Sequence, residues 1–402
     1  MVISGIKYIF KDSVKSRNIR LGYWLIALHN AFFWFAPWLL FIYRYVDIRQ
    51  ATILTMIALV TQTLAEIPTG ALADLIGKKK TLMIAFLITT LAEGGMAFAD
   101  TFGEFAVFFV FISLGYSFYS GTMDAFMYDS LVDEGKKDLY PEVLSKSNAY
   151  MGISTAVATL AGGYLFQFWG GLPFLVTGLA KFVGLVVTFL IVEPRVDTFV
   201  FSYKNFVKQT SLGFSYLFNR RMIKVSLVLI LMGSFSTIAY EILDDVAVVD
   251  WGYSATGISI LYTVALLLSI PLGFFYKQIS EKINPIYLVV GGIFFLVLNY
   301  LFSPLINVTV WTGLFLIRDI FSPIRKAAIT DLINRGVASN IRATTLSTYE
   351  LVVRIPFVIF GVVIGSTMKD MGVRGFSVIF SLILITLLAI YWLYRVLTSK
   401  RL

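Results

Sequence analysis

The chain has 402 residues, 58% of them hydrophobic and 14% charged, with a mean hydropathy of +0.82. Soluble folds carry about 25% charged residues, so this balance excludes a soluble enzyme, a nucleic-acid-binding domain and a disordered scaffold, and implies an integral membrane protein. Cysteine is absent and His29 is the single histidine, which removes disulfides, thiolate metal sites and centres built on two imidazoles; neither metal nor cofactor is expected. The N-terminus has no apolar core followed by a small-residue cleavage site, so no signal peptide is expected.

Charge-free runs mark the bilayer: residues 147–180, 251–276, 283–317 and 375–394 contain no Asp, Glu, Lys or Arg. Broken at their turns, the apolar runs predict spans at 22–43, 51–73, 81–99, 104–129, 147–168 and 171–192, then 222–243, 254–276, 286–304, 309–333, 345–367 and 375–394. Lipid offers no partner to an unpaired backbone group, so each span is expected to be helical. The segments are too long, and lack the alternation, for a membrane barrel. With the N-terminus inside, 24 Lys and Arg flank the cytoplasmic ends and 4 flank the outer ends, which places both termini in the cytoplasm and explains the net charge of +9 without nucleic acid.

The polar stretch 193–221 separates an N-terminal six-helix bundle (1–192) from a C-terminal one (222–402). Tyr203, Phe206, Val207, Phe214 and Leu217 alternate there with Lys204 and Lys208, the pattern of an amphipathic linker at the membrane surface; a calmodulin-type docking helix is the sharper alternative. The halves repeat. At an offset of 203 residues Val46-Asp47 recurs as Val249-Asp250, and Ile67-Pro68-Thr69-Gly70 as Ile270-Pro271-Leu272-Gly273; at 202, Asp129 recurs as Asp331 and Leu144-Ser145 as Leu346-Ser347. Six plus six spans in parallel repeat suit two bundles that rock about a central site.

After the second span the chain reads Gly70-Ala71-Leu72-Ala73-Asp74-Leu75-Ile76-Gly77-Lys78-Lys79-Lys80. This resembles the G-x-L-x-D-R-x-G-R/K-R/K signature of the major facilitator superfamily, with Leu75 where the family usually has Arg or Lys. Gly70 permits close helix packing, Gly77 a tight turn, and Lys78 begins the basic run. The resemblance implies twelve helices, alternating access, a small-molecule substrate and a monomer in the inner (plasma) membrane. It also implies that Asp74 caps the start of span eleven, Arg342-Ala343-Thr344-Thr345, as a cytoplasmic latch. The Arg of drug/proton antiporters is missing at Phe118-Tyr119-Ser120-Gly121, and their glycine pattern survives only as Ala158-Thr159-Leu160-Ala161-Gly162-Gly163. No Walker loop precedes Gly77-Lys78, so transport is expected to be gradient-driven or passive.

Ionisable side chains inside a bilayer are costly and ask for a reason. Within the predicted spans they are Glu66, Glu93, Asp124, Lys181, Glu241, Arg318, Asp319, Arg325, Lys326, Glu350 and Arg354. Glu66 lies eight residues from Asp74 and Arg354 nine from Thr345, about 12 and 13–14 Å of helix. If Asp74 caps span eleven, the two meet at one depth, with Glu350 sharing the Arg; the pair then either switches during alternation or is permanent. By resemblance spans one, four, seven and ten line the cavity. There Arg318, beside Asp319, is expected to bind an anionic substrate group or hold a coupling carboxylate. Asp124 and Glu241 are the expected proton carriers, with fixed ion pairs the alternative. Glu241, Asp244 and Asp245 at i, i+3 and i+4 read as one acidic face at the outer end of span seven. His29 is either a packed helix contact or a coupling group. Asn30, Trp34, Tyr116 and Tyr119 are expected to touch substrate or simply to pack. The function expected is proton-coupled efflux of an amphiphilic compound; uptake by symport and a non-transporting receptor or scaffold are the alternatives.

Overall fold

A computed structural model describes residues 14–195, 203–219, 222–337 and 342–399. Among the described residues every regular element is helical: α1 Arg17–His29, α2 Trp38–Ile42, α3 Ile48–Ile76, α4 Lys78–Met96, α5 Phe102–Asp133, α6 Tyr140–Phe168, α7 Leu172–Leu190 and α8 Tyr203–Leu217. There follow α9 Ile223–Ile238, a π-helical turn Ala239–Leu243, α10 Asp244–Asp250, α11 Ala255–Phe274, α12 Tyr276–Ser280, α13 Pro285–Leu301, α14 Val308–Gly336 and α15 Arg342–Ser399. Each of the twelve expected segments overlaps helix, and seven stretches among the described residues are long and apolar enough to cross a membrane. The last of these, Thr344–Leu393, holds two expected segments. Gly372 interrupts α15 there with φ +76°, a conformation that glycine adopts without steric cost. Of the expected amphipathic linker, 203–217 is helix, while 196–202 and 220–221 lie outside the described residues.

The first span departs from expectation. In place of one helix over 22–43, α1 stops at His29 and α2 starts at Trp38. Pro37 has no N–H and its ring would crowd the carbonyl of Phe33 in a continuous helix. Proline is not sufficient, because Pro68, Pro271, Pro323 and Pro356 all lie inside helices. What differs is that the loosened backbone finds side chains. Ser154 donates to Ala27 O at 2.5 Å, Lys181 to His29 O and Thr155 to Asn30 O at 3.2 Å. The Phe33 N–H donates to Thr177 Oγ1 at 3.1 Å. Gly162 lies against the same segment; a Cβ there would sit 2.7 Å from the Phe33 carbonyl carbon. With its backbone groups satisfied, an irregular stretch is tolerable in an apolar interior.

The chain forms two compact units, one of Met1–Val46, Ile57–Tyr203 and Ser254–Thr263, the other of Asp47–Met56, Lys204–Tyr253 and Val264–Leu402. The first is built on Ile19, Leu25, Ile26, Leu82, Phe86, Phe126 and Leu131, all buried. Small residues let its helices close: a Cβ on Gly178 of α7 would lie 2.7 Å from the Gly94 nitrogen of α4. In the second unit Leu229, Met232, Tyr300, Trp311, Phe357 and Leu384 are the fully buried anchors. That unit also carries Asp47–Lys369 at 2.8 Å and Arg374–Asp250 at 2.7 Å, with the Arg374 guanidinium over Trp251 at 3.7 Å.

Candidate functional site

In the first unit, the break in span one sits beside a buried ion pair. Lys181 of α7 and Glu93 of α4 are both 0% exposed, with Nζ and Oε2 4.0 Å apart. Tyr116 of α5 donates its hydroxyl to the other Glu93 oxygen. Lys181 spends a proton on the His29 carbonyl, and its ammonium faces the Phe32 ring at 4.4 Å. The His29 ring stacks on Tyr119 at 3.4 Å and meets Phe32, Phe86 and Tyr116 edge-on. His29 is thus a packed member of an aromatic cage, and its carbonyl does the polar work. Asn30 folds back to donate to Ile26 O at 2.8 Å, and Trp34 stacks on Phe174 at 5.8 Å. The Tyr119 hydroxyl is buried with no hydrogen-bond partner among the described residues.

The basic turn after α3 is also tied down within the first unit. Gly77 takes φ +91°. Behind it the Lys78 and Lys79 backbone N–H groups both donate to the Glu193 carboxylate at 2.7 Å, an anion on the positive end of α4. The Lys79 ammonium reaches the last carbonyls of α7, Phe189 O at 3.0 Å and Ile191 O at 2.7 Å. Lys78 is buried and pairs with Asp129 of α5 at 2.8 Å. The side chains of Gly70 and Asp74 lie outside the described residues, so the Asp74 latch remains an expectation.

The second unit holds a different arrangement. Arg318 of α14 grips Asp244 of α10 with both terminal nitrogens, at 2.7 and 2.8 Å. Tyr300 of α13 donates its hydroxyl to Asp244 and accepts from Arg318 at 3.0 Å. A second carboxylate, Asp319, stands 3.9 Å from Arg318 with its side chain 37% exposed, against 10% for Arg318 and 11% for Asp244. This corrects the acidic outer face expected for Glu241, Asp244 and Asp245. The π-helical turn at Ala239–Leu243 inserts a residue into the helical path, so the α-helical spacing that put all three on one face does not hold. Asp244 turns inward to Arg318, while Glu241 is half-buried.

Two turns beyond, Arg325 donates to Ser236 of α9 and, at 3.3 Å, to Ser322. Its stem lies along α13 at Gly292, where a Cβ would be 2.6 Å from the Arg325 Cδ. Of the remaining expected residues, Asp124 is exposed on α5, Glu66 exposed on α3, Glu350 exposed and Arg354 half-buried on α15. Glu66 belongs to the first unit, Glu350 and Arg354 to the second. The sequence reading passed over Glu93–Lys181, Asp244, Tyr300 and Arg325 as site residues. The signal for the first pair was there: two opposite charges in separate, otherwise charge-free stretches of neighbouring spans.

A family model described as Major Facilitator Superfamily matches residues 20–361. The chain is 23% identical over 379 residues, 89% of its own length and 90% of the relative's, to an uncharacterized MFS-type transporter, YxaM, of Bacillus subtilis (strain 168). Among solved structures it resembles the nucleoside transporter NupG with a TM-score of 0.76 at 12% identity, over 93% of this chain and 97% of that one. It also resembles a bacterial homologue of the human lysosomal transporter Spinster, inward-facing and unoccupied, with a TM-score of 0.70 at 14% identity, over 95% and 97% of the two chains. At such identities the structural likeness speaks for the fold.

Proposed function

Since the chain belongs to the major facilitator superfamily, we propose that this multi-pass membrane protein is a proton-coupled secondary transporter that moves a small amphiphilic organic solute by alternating access. Twelve spans with both termini in the cytoplasm, a six-plus-six division at 193–221, a plasma-membrane location and a monomeric state complete the reading. The observation that carries it is the Asp244–Arg318–Asp319 cluster: one guanidinium, two carboxylates and a phenol inside an apolar helical unit. The two carboxylates outnumber the one guanidinium they contact, so a proton can bind or leave without breaking the Asp244–Arg318 clamp. Asp319, the more exposed carboxylate, takes the proton; Asp244 stays clamped until Arg318 is drawn elsewhere. Asp124 and Glu241 are secondary carriers on the expected cavity spans.

Proton and solute bound in turn give exchange, the outward direction first expected from the sequence. Bound together they give symport. A solute bringing its own negative charge favours symport, because a proton bound with it offsets the charge it adds.

Proteoliposome flux of a compound panel with and without a pH gradient tests the reading. Gradient-driven flux lost in Asp319→Asn, with binding retained, supports it; full gradient-driven flux in both Asp319→Asn and Asp244→Asn defeats it. The chain has no cysteine, so single introduced cysteines report which face is open. Accessibility that never alternates would leave only a receptor or scaffold role.

A further inference from the structure

Spans seven and ten are bridged in the second unit by two rungs. One is Asp244–Arg318; the other is Ser236–Arg325. Their anchor residues are eight apart on one side and seven apart on the other, about two helical turns each. The rungs differ in one respect. Arg318 meets a carboxylate with both terminal nitrogens, whereas Arg325 meets two hydroxyls, of Ser236 and Ser322. Among the described residues no carboxylate lies within 4.0 Å of the Arg325 guanidinium; Asp244 and Asp319 act on it only through space.

A guanidinium has five donors in a fork shaped for a carboxylate, and a cation kept in an apolar region without a counter-ion is costly. Hydroxyls hold Arg325 in place but do not neutralise it. The site is built to hold the side chain: its stem lies on Gly292, where any larger residue would push it away. Phe321, one turn earlier on the same face of α14, is half-buried and packs against Phe295 with ring centroids 4.9 Å apart, so an apolar surface adjoins the charge.

We propose that Arg325 is the receptor for the carboxylate of an organic-acid substrate, which supplies the counter-ion that the second rung lacks, with its apolar body toward Phe321. Arg318, satisfied by Asp244, is then not the anion receptor. The inference rests on the transporter reading and narrows its solute to acids.

The test uses the full-length chain in detergent, with thermal unfolding followed by tryptophan fluorescence against benzoate, nicotinate and octanoate, their matched amides, and inorganic phosphate. At least one acid raises the wild-type midpoint while its amide and phosphate do not. Arg325→Gln abolishes the response, and Arg325→Lys weakens the half-effect concentration by about 10- to 100-fold, the worth of a charge-assisted hydrogen bond. Ser236→Asp gives Arg325 an internal carboxylate, so it raises the ligand-free midpoint and abolishes the response. No response to any of the acids, an equal response to amide or phosphate, or a response surviving in Arg325→Gln or Ser236→Asp overturns the proposal. Alternating cysteine accessibility alongside such a failure would leave the transporter standing and remove only the acid.

Discussion

The two units each bury a basic side chain against an acidic one and treat it in opposite ways. Lys181 and Glu93 are both fully enclosed, and the remaining valences go to a tyrosine, a backbone carbonyl and an aromatic face. Arg318 and Asp244 have a tighter, two-pronged contact, yet a partly exposed second carboxylate stands beside them and a hydroxyl-capped arginine lies about two turns along the same helix. A sealed pair has no alternative partner, so it acts as a fastener. A pair with competitors within reach has somewhere to go. On the proposed transport reading the pair with the shorter contact is the one that moves.

The largest expected effect breaks the fastener. Lys181→Met strands the Glu93 carboxylate and leaves the His29 carbonyl of the interrupted span unsatisfied, which costs about 3–5 kcal/mol. Thermal unfolding should show it, and the double replacement Glu93→Leu with Lys181→Met should recover the part due to the stranded carboxylate, since an apolar pair of similar volume is often as stable as a buried ion pair, but not the part due to the His29 carbonyl. Proton-coupled flux surviving in that double variant would sharpen the contrast; flux lost in a stable double variant would abolish it.

Asp244→Asn comes second. The neutral amide keeps a hydrogen bond to Arg318 but gives up the charge, at about 1.5–3 kcal/mol, and the pH dependence of transport should change in step. Unchanged pH dependence would mean that the second unit's pair is as inert as the first's. Tyr300→Phe keeps the ion pair and removes a hydroxyl bonded to both of its members, at no more than about 1.5–3 kcal/mol; an effect larger than that of Asp244→Asn would show the phenol, not the carboxylate, to be the pivot.

The smallest effect belongs to the exposed pair Asp47–Lys369. The hydrogen bond from Lys369 holds the Asp47 carboxyl below its ordinary value, with the backbone hydrogen bond from Gln50 adding to it. A depressed acid stabilises the fold above its ordinary pKa and loses that contribution as pH falls through the lowered one. Both partners are well exposed, 53% and 38%, so Lys369→Gln should cost no more than a few tenths of a kcal/mol at pH 7. The difference from wild type should shrink below about pH 4, as followed by unfolding across pH.

Much of the helical framework was legible because lipid makes it so: runs without charge, a turn at Gly77, and repeats that place Pro68 and Pro271 inside matching helices. The break at Pro37 was not legible, because four other prolines leave their helices continuous. The deciding groups, Ser154, Thr155, Thr177 and Lys181, come from more than 100 positions away in sequence. Asp244 was misplaced for a local reason, since helical-wheel spacing assumes one period and the chain changes period over the five residues before it. Arg325 was noticed as a membrane charge but not as a site, because nothing in the sequence says that its partners are serines.

The wide turn at Ala239–Leu243 has a mechanical consequence. It stores one residue beyond what an α-helical path needs, and letting that slack out would swing everything after it by about 100° and shift it by about 1.5 Å. Asp244 is the first residue past the slack. A twist of that size would carry its carboxylate away from Arg318 without bending either helix, so the backbone beside the clamp between α10 and α14 already holds the slack that releasing it would need.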